Sequence, residues 1–300
     1  MFFFHARKGH TFFVAKNLKG VSWFTTKNQI MKLLNLRKEI KTKFAESNIP
    51  ETDADFIIAE VLETSRTELI LIEEVAEDVV ETINEKVQLR LNNVPIEKIF
   101  KKSYFFGLEF KVDDNVLSPR PESELLVEAA LKYIKENNYS SVLDMCTGSG
   151  CLAISVKKNA EVDVTAVDVS SKALAIAKHN AKKNQVQINF VKSNMFSEVE
   201  GKFDLIISNP PYIDSEEVKE LEKEVIEHDP KIALDGGEFG LKFYNIIHDN
   251  LRKHLNDNGM LILEIGEDQK ELIVSLFNDF NLVESIVDYS GNDRILIFAR

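Results

Sequence analysis

Strand-like and helix-like segments alternate along the chain from about residue 122 to residue 299, and this alternation limits the fold more than any other feature. Alternation of this kind predicts an α/β fold with a parallel, doubly wound sheet. The last two strands are joined by only Ser290-Gly291-Asn292-Asp293, so they must pair as a hairpin that adds one antiparallel strand. The predicted strands are 142–146, 162–167, 188–191, 204–208, 260–265, 282–288 and 294–299, and the predicted helices begin at Glu122, Cys151, Ser171, Phe239 and Asp268.

A small helical bundle is predicted before the alternating segments. Apolar residues recur with helical spacing from Met31 to Leu91, and Thr52-Asp53-Ala54-Asp55 resembles a capping box at the start of one helix. Residues 104–112 predict a hairpin between the two regions. The predicted divisions are an extension at 1–30, a helical domain at 31–100, a hairpin linker at 101–118 and an α/β domain at 119–300.

The first 30 residues differ in composition from the rest of the chain. They are rich in Phe and contain no acidic residue. Three interpretations remain open: an organellar transit peptide, a translated upstream stretch with Met31 as the true start, or a disordered tail. We expect an extension that is not part of the fold.

The chain is strongly acidic, and this restricts its partners. Its net charge is −12, and the five cations of residues 1–30 leave −17 for the remainder. Such a body repels a phosphate backbone, so we expect no direct binding of nucleic acid and favour a basic protein partner. No apolar run approaches the ~18–20 residues of a membrane helix, so no membrane association is expected.

A glycine-rich turn follows the strand that ends at Cys146. Thr147-Gly148-Ser149-Gly150 leads into a helical pattern, and Asp168 lies 20 residues beyond Gly148, at the end of the next strand. Glycines let a ligand approach the backbone beside a helix N-terminus, and an acid at this distance reaches ribose hydroxyls. The pattern predicts a nucleoside-bearing cofactor. Residues 148–153 also satisfy G-x-G-x-x-A, which leaves a dinucleotide-binding dehydrogenase open.

A second motif, Asn209-Pro210-Pro211-Tyr212, follows the apolar strand that ends at Ser208. The two prolines stiffen the end of the strand, Asn209 offers a side-chain acceptor, the Pro210 carbonyl lacks a helical partner, and Tyr212 offers a ring. Together they suit a planar polar group such as an amide. Pro-Pro alone is explained equally well by a turn that ends a strand.

The two cysteines, Cys146 and Cys151, flank the glycine turn. They cannot form a metal site alone and no histidine cluster joins them, so we expect no metal and interpret them as small buried thiols in a reducing compartment.

The motifs together resemble the class I S-adenosylmethionine-dependent methyltransferases, and within them the HemK/PrmC family. The resemblance runs in family order from about residue 31 to the end. Asp229-Pro230 stands where the family has Glu-Pro, and 95–100 keeps little of the usual pattern. The remaining matching segments are 117–124, 142–153, 167–174, 177–181, 203–213, 233–237, Gly240-Leu241 and 290–294.

The resemblance implies a Rossmann-like fold, and methyl transfer from S-adenosyl-L-methionine to the side-chain amide nitrogen of the glutamine in the Gly-Gly-Gln motif of peptide chain release factors. It further implies that the helical domain helps to bind the release factor, although a bundle that only stabilises the catalytic domain remains open. We expect a cytoplasmic monomer, or a mitochondrial protein if residues 1–30 are a transit peptide. The implied residues are Asn209, Pro210 and Tyr212 for catalysis, these with Pro211 for substrate binding, and Asp144, Thr147, Gly148, Ser149, Gly150, Asp168, Asn194 and Asn209 for the cofactor.

Three other functions remain open at this stage. Asn-Pro-Pro-Tyr also occurs in methyltransferases that act on exocyclic amines of nucleobases, but the acidic charge and the lack of an inserted recognition domain disfavour them. A dehydrogenase needs an acid–base pair for hydride transfer, and its candidates are histidines that helix-surface positions explain better. Intact motifs argue against a non-catalytic binding module. The histidines are His179, His228, His248 and His254.

Overall fold

The computed structural model describes residues 30–300, and the prediction for the extension therefore lies outside the described residues apart from Ile30. The first half contains β1 (Ile30–Lys32), α1 (Leu33–Glu46), α2 (Thr52–Val61), β2 (Glu74–Ala76), α3 (Glu77–Leu91), α4 (Ile96–Phe100), β3 (Lys102–Phe105), β4 (Leu108–Lys111) and α5 (Glu124–Asn137). The second half contains β5 (Ser141–Met145), α6 (Cys151–Asn159), β6 (Asp163–Asp168), α7 (Ser171–Lys183), β7 (Asn189–Lys192), β8 (Phe203–Ser208), α8 (Lys223–His228), α9 (Lys242–His254), β9 (Leu255–Glu264), α10 (Lys270–Leu276), β10 (Asn281–Val287) and β11 (Asp293–Ala299).

The helices α1 to α3 form the predicted bundle around an apolar core of their own. Phe44, Ile57 and Ile83 are fully buried at its centre, where each helix turns one apolar stripe inward. The short strands β1 and β2 pair beside them, and Ile30 already lies opposite Ala76.

The predicted capping box at Thr52 is wrong. Helix α2 begins at Thr52, its N-cap is Glu51, and no side chain caps it. The Asp55 carboxylate instead accepts a hydrogen bond from Arg37 Nε at 2.8 Å and lies 3.0 Å from Lys41 Nζ. The acidic residues of this turn therefore tie α2 to α1 rather than closing its own first turn.

The seven-stranded sheet confirms the predicted α/β topology. Its order is β10-β11-β9-β8-β5-β6-β7; β11 runs antiparallel to both of its neighbours, and the strands from β9 to β7 are parallel. Alternate side chains enter two cores, because successive residues of a strand point to opposite faces. Val142 packs in the core under α5 and α6, and Leu143 packs in the core under α9 and α10. Burial of both faces explains why the central strands are continuous apolar runs.

The predicted hairpin is formed by β3 and β4, with Tyr104 opposite Glu109. A buried charge cluster lies next to it, where the helical bundle meets the α/β region. Lys98 of α4 donates to the carbonyls of Asp113 and Val116 at 2.8 and 2.7 Å, and its ammonium lies 3.0 Å from the Asp229 carboxylate. These contacts fix the bundle against the segment that follows β8.

No helix among residues 30–300 has both the length and the apolar character that crossing a membrane requires.

Candidate active site

The glycine turn and the Asn-Pro-Pro-Tyr motif meet at one cavity of about 330 Å³. They do so because β5, β6 and β8 are parallel neighbours, so their carboxyl ends share one edge of the sheet, where such sheets bind ligands. The volume lies within the range of small-molecule sites. The predicted site residues that line the cavity are Thr147, Gly148, Ser149, Asp168, Asn194, Asn209 and Pro211.

The two glycines of the turn have different roles. Gly148 has φ +54°, and a side chain there would meet only the Cys146 carbonyl at 3.9 Å, so the space beside it is left for a ligand. Gly150 has φ +82°, and a Cβ would lie 3.0 Å from Ile154 and 3.1 Å from Ala177. Gly150 therefore permits α6 to pack closely against α7 and does not line the cavity.

Asp144 lies beneath the turn and does not line the cavity. Its carboxylate accepts hydrogen bonds from Thr147 Oγ1 at 2.6 Å and from the Ala153 amide at 3.2 Å. Burial raises its pKa to about 7, although these two bonds oppose the rise. The second carboxylate oxygen is buried without a hydrogen-bond partner among the described residues. In this position Asp144 holds the turn against α6.

Asp168 ends β6 and faces the cavity. Its carboxylate accepts the Gly148 amide at 2.9 Å and the Ser170 amide at 2.8 Å. Burial raises its pKa, and these backbone bonds oppose the rise. The N-cap of α7 is Ser170, whose hydroxyl accepts the Ala173 amide at 3.2 Å. Asp168 is thus a carboxylate held in place by two backbone amides, with acceptor capacity remaining toward the cavity.

Cys146 and Cys151 also line the cavity. Both are free thiols, and each residue keeps part of its surface exposed, so they are less buried than predicted. Cys146 Sγ lies 3.8 Å from Met195 Sδ. Burial of the sulfur atoms nevertheless raises the pKa of both thiols, that of Cys151 to about 12. Neither sulfur is ionised at neutral pH.

Asn209 lies directly after β8, which is separated by β5 from the strand that ends at Asp168. Its amide nitrogen donates to Ser123 Oγ at 3.1 Å, and the Ser123 hydroxyl donates to Glu264 Oε2 at 2.5 Å. The Asn209 side-chain oxygen and the Pro210 carbonyl accept no hydrogen bond from a described residue. Two unused acceptors therefore belong to consecutive residues at the end of this strand.

Pro210 and Tyr212 do not line the cavity. Tyr212 packs against the core under α9 and α10, and burial raises its pKa to about 12. Its backbone is enclosed by later glycines: a Cβ on Gly236 would lie 2.7 Å from Tyr212 Cα, and one on Gly240 would overlap the Tyr212 carbonyl oxygen. The close approach of these two glycines therefore fixes the backbone of the motif.

Sequence reasoning assigned no role to several residues of the site. Ser123 and Glu264 stand behind Asn209, and Ile232, Phe243 and Ile246 form an apolar wall. Glu264 carried one recognisable signal, since it is a lone acid ending an apolar strand at the edge where the other motifs lie. The wall residues come from segments without any distinctive pattern.

The residues that line the cavity fit a nucleoside-bearing ligand. A carboxylate that accepts hydrogen bonds lies at one end, polar Asn194 lines the same cavity, and apolar side chains cover one wall. The space beside Gly148 admits a ligand to the backbone. None of the described residues that line the cavity is a histidine, so the acid–base pair of a dehydrogenase is not found there.

Two protein families match the chain. Residues 35–100 match the PrmC N-terminal domain, and residues 107–258 match the methyltransferase small domain.

Similar proteins extend over most of the chain. It is 37% identical over 278 residues to the release factor glutamine methyltransferase of Thermodesulfovibrio yellowstonii, which covers 90% of this chain and 99% of that protein. It is 36% identical over 263 residues to the one of Agrobacterium fabrum, covering 84% of this chain and 91% of that protein. A methyltransferase from Pyrococcus furiosus shares the fold, with a TM-score of 0.50 and 23% identity over 72% of this chain and 98% of that one.

Proposed function

The chain belongs to the HemK/PrmC family of release factor glutamine methyltransferases, and we propose that it methylates the side-chain amide nitrogen of the glutamine in the Gly-Gly-Gln motif of a peptide chain release factor. S-adenosylmethionine is the methyl donor, and when bound it supplies an already activated methyl group. One observation carries the proposal. A nucleoside-type site at Asp168 and two unused acceptors at Asn209 and Pro210 belong to the same edge of the sheet.

The cofactor site consists of the glycine turn, Asp168 and Asn194. The Asp168 carboxylate accepts the two ribose hydroxyls, and the turn between Thr147 and Gly150 leaves room for the ligand beside its backbone. Asp144 acts indirectly, since it lies behind Thr147 and orients the turn. Support comes from the lining of the cavity and from the hydrogen bonds of the two carboxylates.

The substrate amide binds at the Asn-Pro-Pro-Tyr motif. An amide nitrogen is a weak nucleophile because its lone pair is delocalised, so the main task of the protein is orientation. Asn209 Oδ1 and the Pro210 carbonyl accept hydrogen bonds from the two N–H groups. The Tyr212 ring packs on the core side of the motif and holds these acceptors in place. Alignment of two reactants supplies ~7–11 kcal/mol of barrier lowering. The free acceptors and the enclosed backbone of Tyr212 support this assignment.

The division into an extension at 1–30, a helical domain at 31–100, a linker at 101–118 and a catalytic domain at 119–300 is part of the proposal. The match of residues 35–100 to a separate family and the β3–β4 hairpin support it. We assign docking of the release factor to the helical domain, and propose that the enzyme acts as a monomer in the compartment where translation terminates. The net charge of −12 favours a basic protein surface as partner.

The test is transfer of labelled methyl groups from S-adenosylmethionine to a purified release factor. The wild-type protein should label the release factor and leave the variant with Ala in place of the glutamine unlabelled. Asn209→Ala should lower the rate about 10²–10³-fold, because one aligned hydrogen-bond partner at the reacting centre is lost. Binding of S-adenosylhomocysteine should not change.

Asn245→Ala is the matched control for Asn209→Ala, since the Asn245 side chain is exposed on α9 and donates only to the Leu241 carbonyl.

Tyr212→Phe should retain far more activity than Tyr212→Ala if the ring of Tyr212, rather than its hydroxyl, positions the substrate. Label on DNA or RNA, or undiminished labelling of the variant release factor, would refute the assignment in favour of nucleobase or other chemistry.

A further inference from the structure

A buried carboxyl group stands directly behind the substrate-binding amide. Glu264 ends β9 and is 2% exposed, and Ser123 lies between it and Asn209, also 2% exposed. The Ser123 hydroxyl is 2.5 Å from Glu264 Oε2 and 3.1 Å from the Asn209 amide nitrogen. The three residues come from three segments that are far apart in sequence, and Glu264 does not line the cavity.

The donor and acceptor capacities of Glu264, Ser123 and Asn209 determine which atom donates in each of the two hydrogen bonds. Above its pKa of about 7 Glu264 is a carboxylate, which only accepts, so the single proton of the Ser123 hydroxyl then points to Glu264. The serine lone pairs then face Asn209, and only the NH2 end of the amide can bond to them. The oxygen end is consequently turned away from Ser123. The two ends of an amide have nearly the same shape, so packing alone does not choose between them.

We propose that Glu264 and Ser123 are positioning residues that fix the Asn209 amide with its oxygen toward the glutamine substrate. The inference rests on the proposed function, because it assigns a purpose to the same amide-binding site. It explains how the site distinguishes glutamine from glutamate. A fixed oxygen accepts the N–H groups of a glutamine amide and repels a glutamate carboxylate, whereas an Asn209 side chain free to flip offers either group.

The surroundings of Glu264 show that the charge is costly to the fold. Burial raises its pKa to about 7, while the hydrogen bond from Ser123 and the charge of Arg294 oppose the rise. The other titratable groups that face it are Glu122, Tyr212, Tyr244 and Cys151. Arg294 bonds to the Asp288 carboxylate at 3.0 Å and is not paired directly with Glu264. A neutral residue would lose less solvation free energy on burial, which argues for a role of this glutamate beyond stability.

Glu264→Gln provides the first test, since it keeps the shape and removes the fixed direction of the two hydrogen bonds. We expect kcat for release factor methylation to fall about 10- to 100-fold through loss of orientation, with unchanged affinity for S-adenosylhomocysteine. The melting temperature at pH 8 should stay equal or rise. The reason is that an acid with a raised folded-state pKa loses stability as pH rises through that pKa, and Gln does not ionise.

Ser123→Ala and Ser123→Thr form the second test. Alanine removes the bridge and should lower kcat by a similar factor, whereas threonine keeps the hydroxyl and should restore most of the activity. Ser155→Ala is the control, because Ser155 is fully buried in α6 and its hydroxyl has no partner among the described residues. It should leave kcat unchanged.

The decisive measurement is competition by a release factor in which the target glutamine is replaced by glutamate. This variant should inhibit wild-type enzyme weakly and Glu264→Gln at least about tenfold more strongly, since a free Asn209 can turn its NH2 group to the carboxylate. If the wild-type protein labels the release factor while Glu264→Gln leaves both kcat and the discrimination against glutamate unchanged, that result refutes the positioning role and leaves the proposed function standing. Failure of the wild-type protein to label any release factor refutes the proposed function instead.

Discussion

Replacing Asp168 by alanine should separate cofactor binding from folding. The Asp168 carboxylate accepts two backbone amides, from Gly148 at 2.9 Å and Ser170 at 2.8 Å. An ionised carboxylate has about four acceptor positions, so about two remain for the ribose hydroxyls of the cofactor. The substitution removes both sets of bonds, and each set affects a different measurement.

The expected loss of affinity follows from the remaining acceptor positions. Hydrogen bonds to a charged group contribute about 1.5–3 kcal/mol each, so two are worth about 3–6 kcal/mol. Each 1.4 kcal/mol corresponds to about a tenfold change, which predicts at least about 10²-fold weaker binding of S-adenosylhomocysteine. Asp168→Asn keeps one acceptor oxygen and should fall between wild type and Asp168→Ala.

Calorimetric titration with S-adenosylhomocysteine measures the affinity, and thermal unfolding measures the stability. Asp204→Ala is the control, because Asp204 at the start of β8 also accepts backbone amides, from Ser140 at 2.9 Å and Ser141 at 3.0 Å, at the opposite edge of the sheet. It should lose stability and keep its affinity. If Asp168→Ala lost as much stability as Asp204→Ala and kept wild-type affinity, Asp168 would be structural only.

Three further outcomes are expected. Lys98→Met removes one of two cations beside the Asp229 carboxylate, since Arg120 stays 3.0 Å away, and it leaves the carbonyls of Asp113 and Val116 without their donor. Denaturant titration should therefore show the unfolding free energy reduced by about 1–3 kcal/mol; an unchanged midpoint would contradict this. Gly240→Ala places a Cβ against the Tyr212 carbonyl and should abolish activity or folding, whereas Gly107→Ala, which also has positive φ but meets no atom within 4 Å, should cost only about 1 kcal/mol in thermal unfolding. Burial would raise the pKa of Asp204, but its hydrogen bonds lower it to about 2. Its stabilisation is therefore full above about pH 4 and disappears as pH falls toward 2, so acid titration of Asp204→Asn should lack this loss.

The sequence predicted the parts of the molecule that depend on local patterns. The strands β5 to β11 follow from apolar runs, and the carboxyl ends of parallel strands bring Gly148, Asp168 and Asn209 to one edge. The capping box at Thr52 failed because a cap is defined by backbone geometry, and Glu51 already has helical angles of φ −61° and ψ −23°. Residue type alone does not reveal that geometry.

Contacts between distant segments were beyond sequence reasoning. Ser123 and Glu264 are 141 residues apart and meet only through the order of strands in the sheet. The direction of a side chain was equally hidden. Asp144 and Asp168 both belong to the strands beside the glycine turn, yet only Asp168 lines the cavity, since Asp144 points beneath the turn to Thr147.

The protonation state of the two thiols that line the cavity bears on a competing reaction, methylation of the protein's own cysteines. Ionised sulfur is a far stronger nucleophile than an amide nitrogen, and Cys146 and Cys151 both line the cavity that we assign to the methyl donor. Because burial raises the pKa of each thiol, both remain protonated at neutral pH. A protonated thiol is a weak nucleophile, so burial protects both cysteines from the methyl donor that we propose for this cavity.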